Sequence, residues 1–122
     1  MTMQTIAKRL VQLCNSGHSE QAAEELYAKD IVSIEANGAP EMPARMQGIE
    51  AVRKKGEWWY ANNVVHGMTA AGPFIGNKAD QFAVMFDIDL TPKGGERTRM
   101  IEVGLYTVSG DKIVEEAFLY SA

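Results

Sequence analysis

Apolar residues recur three or four positions apart at Met3, Ile6, Leu10, Leu13 and Cys14, with Ala7 and Val11 widening the stripe. This spacing predicts an amphipathic helix from about residue 3 to 15, and Gly17 is well placed to end it. Ser19 or His18 can open a second short helix with Ala22, Ala23, Leu26 and Tyr27 inward, ending around Ala28. Glu20 falls in its first turn, where a negative side chain suits the exposed amides. Ile31 to Glu35 reads as a short strand. Ala36 to Gln47 carries Asn37-Gly38, Pro40 and Pro43 and reads as a loop. Its Met42 and Met46 are flexible apolar side chains suited to covering a cavity. Gly48 begins a third helix reaching Tyr60 or Ala61, with Ile49, Val52 and Trp59 on its apolar face.

The period then changes. Val64 to Ala71 reads as a strand, followed by a turn at Gly72-Pro73. Phe82, Val84, Phe86, Ile88 and Leu90 share one face of the next strand, while Gln81, Met85, Asp87 and Asp89 share the other. Pro92 to Gly95 turns the chain into a strand from Arg97 to Val108, and Ser109 to Lys112 turns it into another from Ile113 to Tyr120. These are antiparallel hairpins forming a meander. The order α-α-β-α-β-β-β-β predicts an α+β domain with the helices packed on one face of a curved sheet.

Three helices cover only one side of such a sheet. On the strand from Arg99 to Tyr106, Ile101, Val103 and Leu105 point one way, and Met100, Glu102, Gly104 and Tyr106 the other. Apolar residues on the outer face need a cover, and a second copy of the chain is the simplest one. A homodimer through the outer sheet face is therefore expected.

Composition narrows the partners. At 122 residues, 46% of them apolar and 23% charged, the chain suits one globular domain, 1–122. Twelve Lys+Arg against sixteen Asp+Glu leave a net charge of −4, and Arg53-Lys54-Lys55 sits between Glu50 and Glu57. No broad positive field is available for nucleic acid. A single cysteine excludes an internal disulfide and any CxxC site. With no apolar span or signal region, a soluble cytoplasmic protein without a membrane partner is expected.

The informative residue for chemistry is Glu102. It alternates in register with Met100 and Tyr106, and a hairpin centred on Lys93-Gly94 puts it near Phe86. A carboxyl on that apolar face has a raised pKa or a functional partner. The competing reading slips the register, so that Glu102 faces solvent or pairs with Arg97 or Arg99. Glu35, at the end of the short strand, is a second carboxyl at the mouth of the Met-containing loop. Two carboxyls at one cavity can separate in pKa, one serving as base and the other as hydrogen-bond donor. His66 is a candidate for proton transfer near neutral pH, although a histidine satisfied by a neighbouring carbonyl fits the same position. Trp59, Phe86, Met46, Tyr106 and Tyr120 are candidates for lining an apolar pocket, with ordinary core packing as the alternative for each. The spacing of His66, Glu35 and Glu102 matches no metal-ligand motif, so neither metal nor cofactor is expected. Phosphate loop and nucleophile elbow are both missing, and Cys14 lies on a core stripe.

Several segments together resemble the SnoaL-like group of the nuclear transport factor 2-like superfamily, which includes ketosteroid isomerases, polyketide cyclases, scytalone dehydratase and limonene epoxide hydrolase. They are Leu13 to Gly17, Tyr27 to Glu35, Gly48 to Val52, and the closing hairpin from Ile101 to Phe118. The resemblance covers nearly the whole chain. It implies a cystatin-like, cone-shaped α+β barrel, with a curved, mostly antiparallel sheet, three helices on its concave face, and an apolar pocket inside. It also implies a dimer. In the ketosteroid isomerase pattern, Glu35 matches the catalytic base and Glu102 the protonated acid of the oxyanion hole. Both are Glu where that family has Asp. Leu10 stands nearest the place of that family's helix-one tyrosine.

Three functions follow in order of preference. The first is an isomerase, cyclase or lyase that abstracts a proton next to a carbonyl of a small apolar substrate. The second is a pocket that binds such a molecule without turnover. The third is an interaction protein whose function is dimerisation.

Overall fold

The computed structural model describes residues 1–120. The elements are α1 (Met3–Asn15), α2 (Ser19–Leu26), β1 (Tyr27–Ile34), β2 (Arg45–Gln47), α3 (Ile49–Asn62), β3 (Asn63–Ile75), β4 (Gln81–Pro92), β5 (Thr98–Ser109) and β6 (Lys112–Tyr120).

Local chemistry sets the helix ends. The Thr2 hydroxyl accepts from the Thr5 amide at 3.1 Å and caps α1. At the far end Gly17 takes a φ of +78°, which lets the His18 amide reach the Leu13 carbonyl at 2.8 Å. The second helix stops two residues earlier than its apolar spacing predicts. Tyr27 is already extended, with φ −87° and ψ 140°, and opens β1.

All six strands form one sheet, in the order β2-β1-β6-β5-β4-β3. Neighbours pair antiparallel except β1 and β6, which run parallel. β6 thus lies between the chain's first strand and the β3-β4-β5 meander. The expected cone-shaped barrel does not form. The sheet is open, not strongly curled, and has β2 and β3 as its two edges. Closure would require those edges to pair, yet β2 offers only three residues, and α1 and α3 pack against β3 instead.

Two further expectations are corrected. The stretch from Ala36 to Gln47 is not all loop, because Arg45–Gln47 pairs with β1. Nor does β3 stop before Gly72-Pro73: it continues to Ile75, with a register shift between Ala71 and Phe74. Pro73 is tolerated because β3 is an edge strand.

All three helices pack on one sheet face. Their apolar stripes meet the inward row of β4, where Phe82, Val84, Phe86, Ile88 and Leu90 are all buried. Burying side chains of this size contributes about 1.5–3 kcal/mol each, so this layer is the main source of stability. The outer face stays uncovered, and Ile101 and Leu119 are 49% and 55% exposed there. No helix among the described residues is long and apolar enough to cross a membrane.

Candidate functional site

Strand register places a polar group within the apolar face. Paired residues share a face, so Met46, Ser33, Glu116, Tyr106 and Phe82 form one row across five strands. The row formed by Tyr120, Glu102 and Phe86 lies four residues along the strands, with Phe118, Gly104 and Val84 in the row between. Phe86 is therefore directly opposite Glu102, as the hairpin predicts. Arg97 and Arg99 do not reach Glu102, because they pair with Asp89 and Asp87 on the outer face.

Glu116 anchors the group. It is 2% exposed, and its two oxygens accept from the Tyr27 hydroxyl and, at 2.7 Å, from the Ser33 hydroxyl. Lys55 of α3 comes down onto the same atoms. Its Nζ lies 2.5 Å from Ser33 Oγ, 2.9 Å from Glu35 Oε2 and 3.7 Å from Glu116 Oε2. It also lies 4.9 Å from the centre of the Phe118 ring. Glu35 follows Ile31 and Ser33 on the inward alternation of β1, which carries its carboxylate to the ammonium.

Glu102 has no such partner: among the described residues it makes no hydrogen bond or ion pair. Burial raises its pKa to about 7, and the negative charges of Glu35 and Glu116 add to the rise while Lys55 opposes it. Near neutral pH this carboxyl exists in both forms. Tyr27 and Tyr106 are pushed well above the ordinary phenol range, first by burial and then by the charge of Glu116.

Aromatic rings enclose the group. Tyr106 stacks on Phe82 at 5.1 Å and meets the edge of Phe118 at 6.2 Å. It lies across Gly104, where a Cβ would come within 2.7 Å of the Tyr106 ring. Tyr120 fixes the loop beyond β1, accepting from the Asn37 amide at 3.2 Å. Trp59 is half-buried and packs on the core from α3. Thus Glu35, Glu102, Phe86, Met46, Tyr106 and Tyr120 share one face.

His66 lies elsewhere. It is exposed on the edge strand, and its Nε2 is 2.8 Å from Thr91 Oγ1 on the outer side of β4. Cys14 is buried near Ser19, and burial pushes its thiol up to about 11, which leaves it a poor nucleophile at neutral pH. Among the described residues no three His, Cys, Asp or Glu side chains gather as metal ligands.

Four members of the group escaped sequence reading: Tyr27, Ser33, Lys55 and Glu116. Two left a signal. Lys55 stands three residues after Val52 and four before Trp59, on the apolar stripe of α3. Glu116 alternates with Phe118 and Tyr120. A charge in an apolar period marks a buried ionic group.

Two grooves lie away from this group. One of about 810 Å³ runs between the α1–α2 turn, Tyr60 and β3, and one of about 270 Å³ lies beside Phe74 and Lys78. Neither is lined by Glu35 or Glu102. The carboxyl group is reached directly from solvent, since the side chains of Glu35 and Lys55 keep 26% and 17% of their surface exposed.

Among curated proteins none matches this chain. Of solved structures, a proposed SnoaL-like polyketide cyclase from Mesorhizobium loti is 47% identical, with a TM-score of 0.90, covering 98% of this chain and 100% of its own. A Mycobacterium tuberculosis protein in complex with estradiol-17beta-hemisuccinate shares the fold at 19% identity, with a TM-score of 0.74 and coverage of 99% and 95%. A proposed polyketide cyclase from Pseudomonas putida KT2440 does so at 12% identity and a TM-score of 0.72, with coverage of 99% and 92%. The SnoaL-like domain model matches residues 1–120. With the open sheet, its helical cover and nearly the whole chain matched, this protein belongs to the SnoaL-like domain family, within the nuclear transport factor 2-like superfamily.

Proposed function

We propose that the protein is an isomerase, cyclase or lyase that moves a proton next to the carbonyl of a small apolar compound. The observation that carries this reading is Glu102, a carboxyl without a partner among aromatic rings and titrating near 7. Protonated, it donates to the oxygen on which enolate charge develops. The free Oε1 of Glu35 takes the carbon-bound proton, while its Oε2 stays on Lys55. The half-buried Phe118 and Tyr120 supply apolar contact, with Phe86 and Tyr106 buried behind them, and the relatives described as polyketide cyclases support this class of substrate.

This assignment makes turnover depend on the protonated form of Glu102. The rate is expected to fall about tenfold per pH unit above roughly 7. Deuterium exchange into the position next to the carbonyl of simple aromatic ketones, followed by NMR, tests it. Glu102→Gln should slow exchange at least about a hundredfold. Undiminished exchange in that variant would remove Glu102 from the mechanism.

A second reading is binding without turnover in the same place. The buried Leu10, which contributes no hydroxyl from α1, favours it. An apolar ketone that binds and is recovered without deuterium would decide for this reading. Under either one, two copies associate through the exposed outer face of β4, β5 and β6.

A further inference from the structure

We infer that the site discriminates by charge: it accepts neutral or cationic apolar ligands and rejects carboxylic acids. The inference rests on the site proposed above and names the ligand class that site takes.

Lys55 is the positive charge of the group, and it is already taken. Its ammonium is held by Ser33 and Glu35, with Glu116 at 3.7 Å. Two of its three N–H groups are held by Ser33 and Glu35 and its charge is shared by two carboxylates, Glu35 and Glu116, so a ligand carboxylate would have to compete with both. The nearby arginines lie on the outer face, where Arg97 and Arg99 hold Asp89 and Asp87.

The charged and titratable groups come from every element around the site. Glu35 follows β1, Tyr27 lies in β1, Lys55 in α3, Glu102 in β5, Glu116 and Tyr120 in β6, and Cys14 approaches Glu116 from α1. Three carboxyls therefore face one ammonium. With Glu102 protonated the group carries one net negative charge, and with Glu102 ionised it carries two. A ligand carboxylate would bring another into a half-buried place, where like charges repel far more than in water. A ketone meets only the protonated Glu102. A cationic amine meets the ionised form, whose oxygens accept nothing from the described residues.

Acetophenone, benzylamine and benzoate present the same ring with a neutral, positive or negative head, and NMR titration at about pH 8 compares them. Acetophenone and benzylamine should bind at least about tenfold more tightly than benzoate. In Glu102→Gln the gap between benzylamine and benzoate should narrow at least about threefold. Glu35→Gln removes a negative charge beside Lys55, and should raise benzoate affinity. Benzoate binding as tightly as acetophenone, a gap unchanged in both variants, or no binding by any of the three at millimolar concentration overturns the inference. Bound acetophenone that takes up no deuterium, with the binding order intact, removes the proposed reaction and leaves the charge selection standing.

Discussion

Glu102 links the site to the stability of the fold. The unfolded chain releases its proton near the ordinary value of 4.5, whereas the folded chain holds it to about 7. The folded state binds more protons between these values, so stability present at low pH is lost as pH rises through this window and is flat above it. The total is up to about 3 kcal/mol for a shift of this size. Glu102→Gln should abolish this slope, and urea midpoints between about pH 5 and pH 8 measure it for both proteins. Equal losses in the two would mean that another group titrates. Gly104 has a different task, which is to leave room for a ring. Its substitution by Ala puts a Cβ 2.7 Å from Tyr106, and should cost about 1–3 kcal/mol through a displaced Tyr106. A thermal melt unchanged in Gly104→Ala would mean that the ring shifts freely.

Between elements, the decisive contact is α3 on β1 and β6 through Lys55. Removing that ammonium leaves the buried carboxylate of Glu116 without its opposite charge. Lys55→Ala should therefore destabilise by about 3–5 kcal/mol. Arg99→Ala breaks a pair in which the arginine side chain is 70% exposed, and should cost less than about 1 kcal/mol. Comparable denaturation midpoints for the two variants would contradict the role given to Lys55. This contact also separates what sequence alone reveals from what it does not. Period and turn chemistry locate α1, α3 and the three long hairpin strands, and the Lys93-Gly94 turn alone predicts that Glu102 faces Phe86. The parallel pairing of β1 with β6 is different, because no turn joins strands separated by most of the chain. Without it nothing brings Tyr27 and Ser33 to Glu116. Pro40 and Pro43 mask the short β2, and the apolar spacing of Val64 to Ala71 identifies a strand without fixing the register that turns His66 outward.

For the whole molecule, the two faces of the sheet have different fates. The inner one is filled by helices and the carboxyl group. The outer one sets Met85, Val103 and Leu119 in a row, with Leu119 55% exposed. Sedimentation of the wild type should give a dimer, and Leu119→Asp with Ile101→Asp should give monomers that keep their far-UV spectrum. A monomeric wild type would remove that interface. The position of β6 has a consequence for how the molecule comes into being. It is the latest strand in chain order, yet it fills a central place in the sheet between β1 and β5. During synthesis on the ribosome, the helices and β1 emerge first and have no sheet to join. The β3-β4-β5 meander then forms with an open flank until Lys112–Tyr120 leaves the exit tunnel and slots in. The sheet is therefore complete only once β6 has joined, and the carboxyl group, built on Glu116, comes into existence in that step.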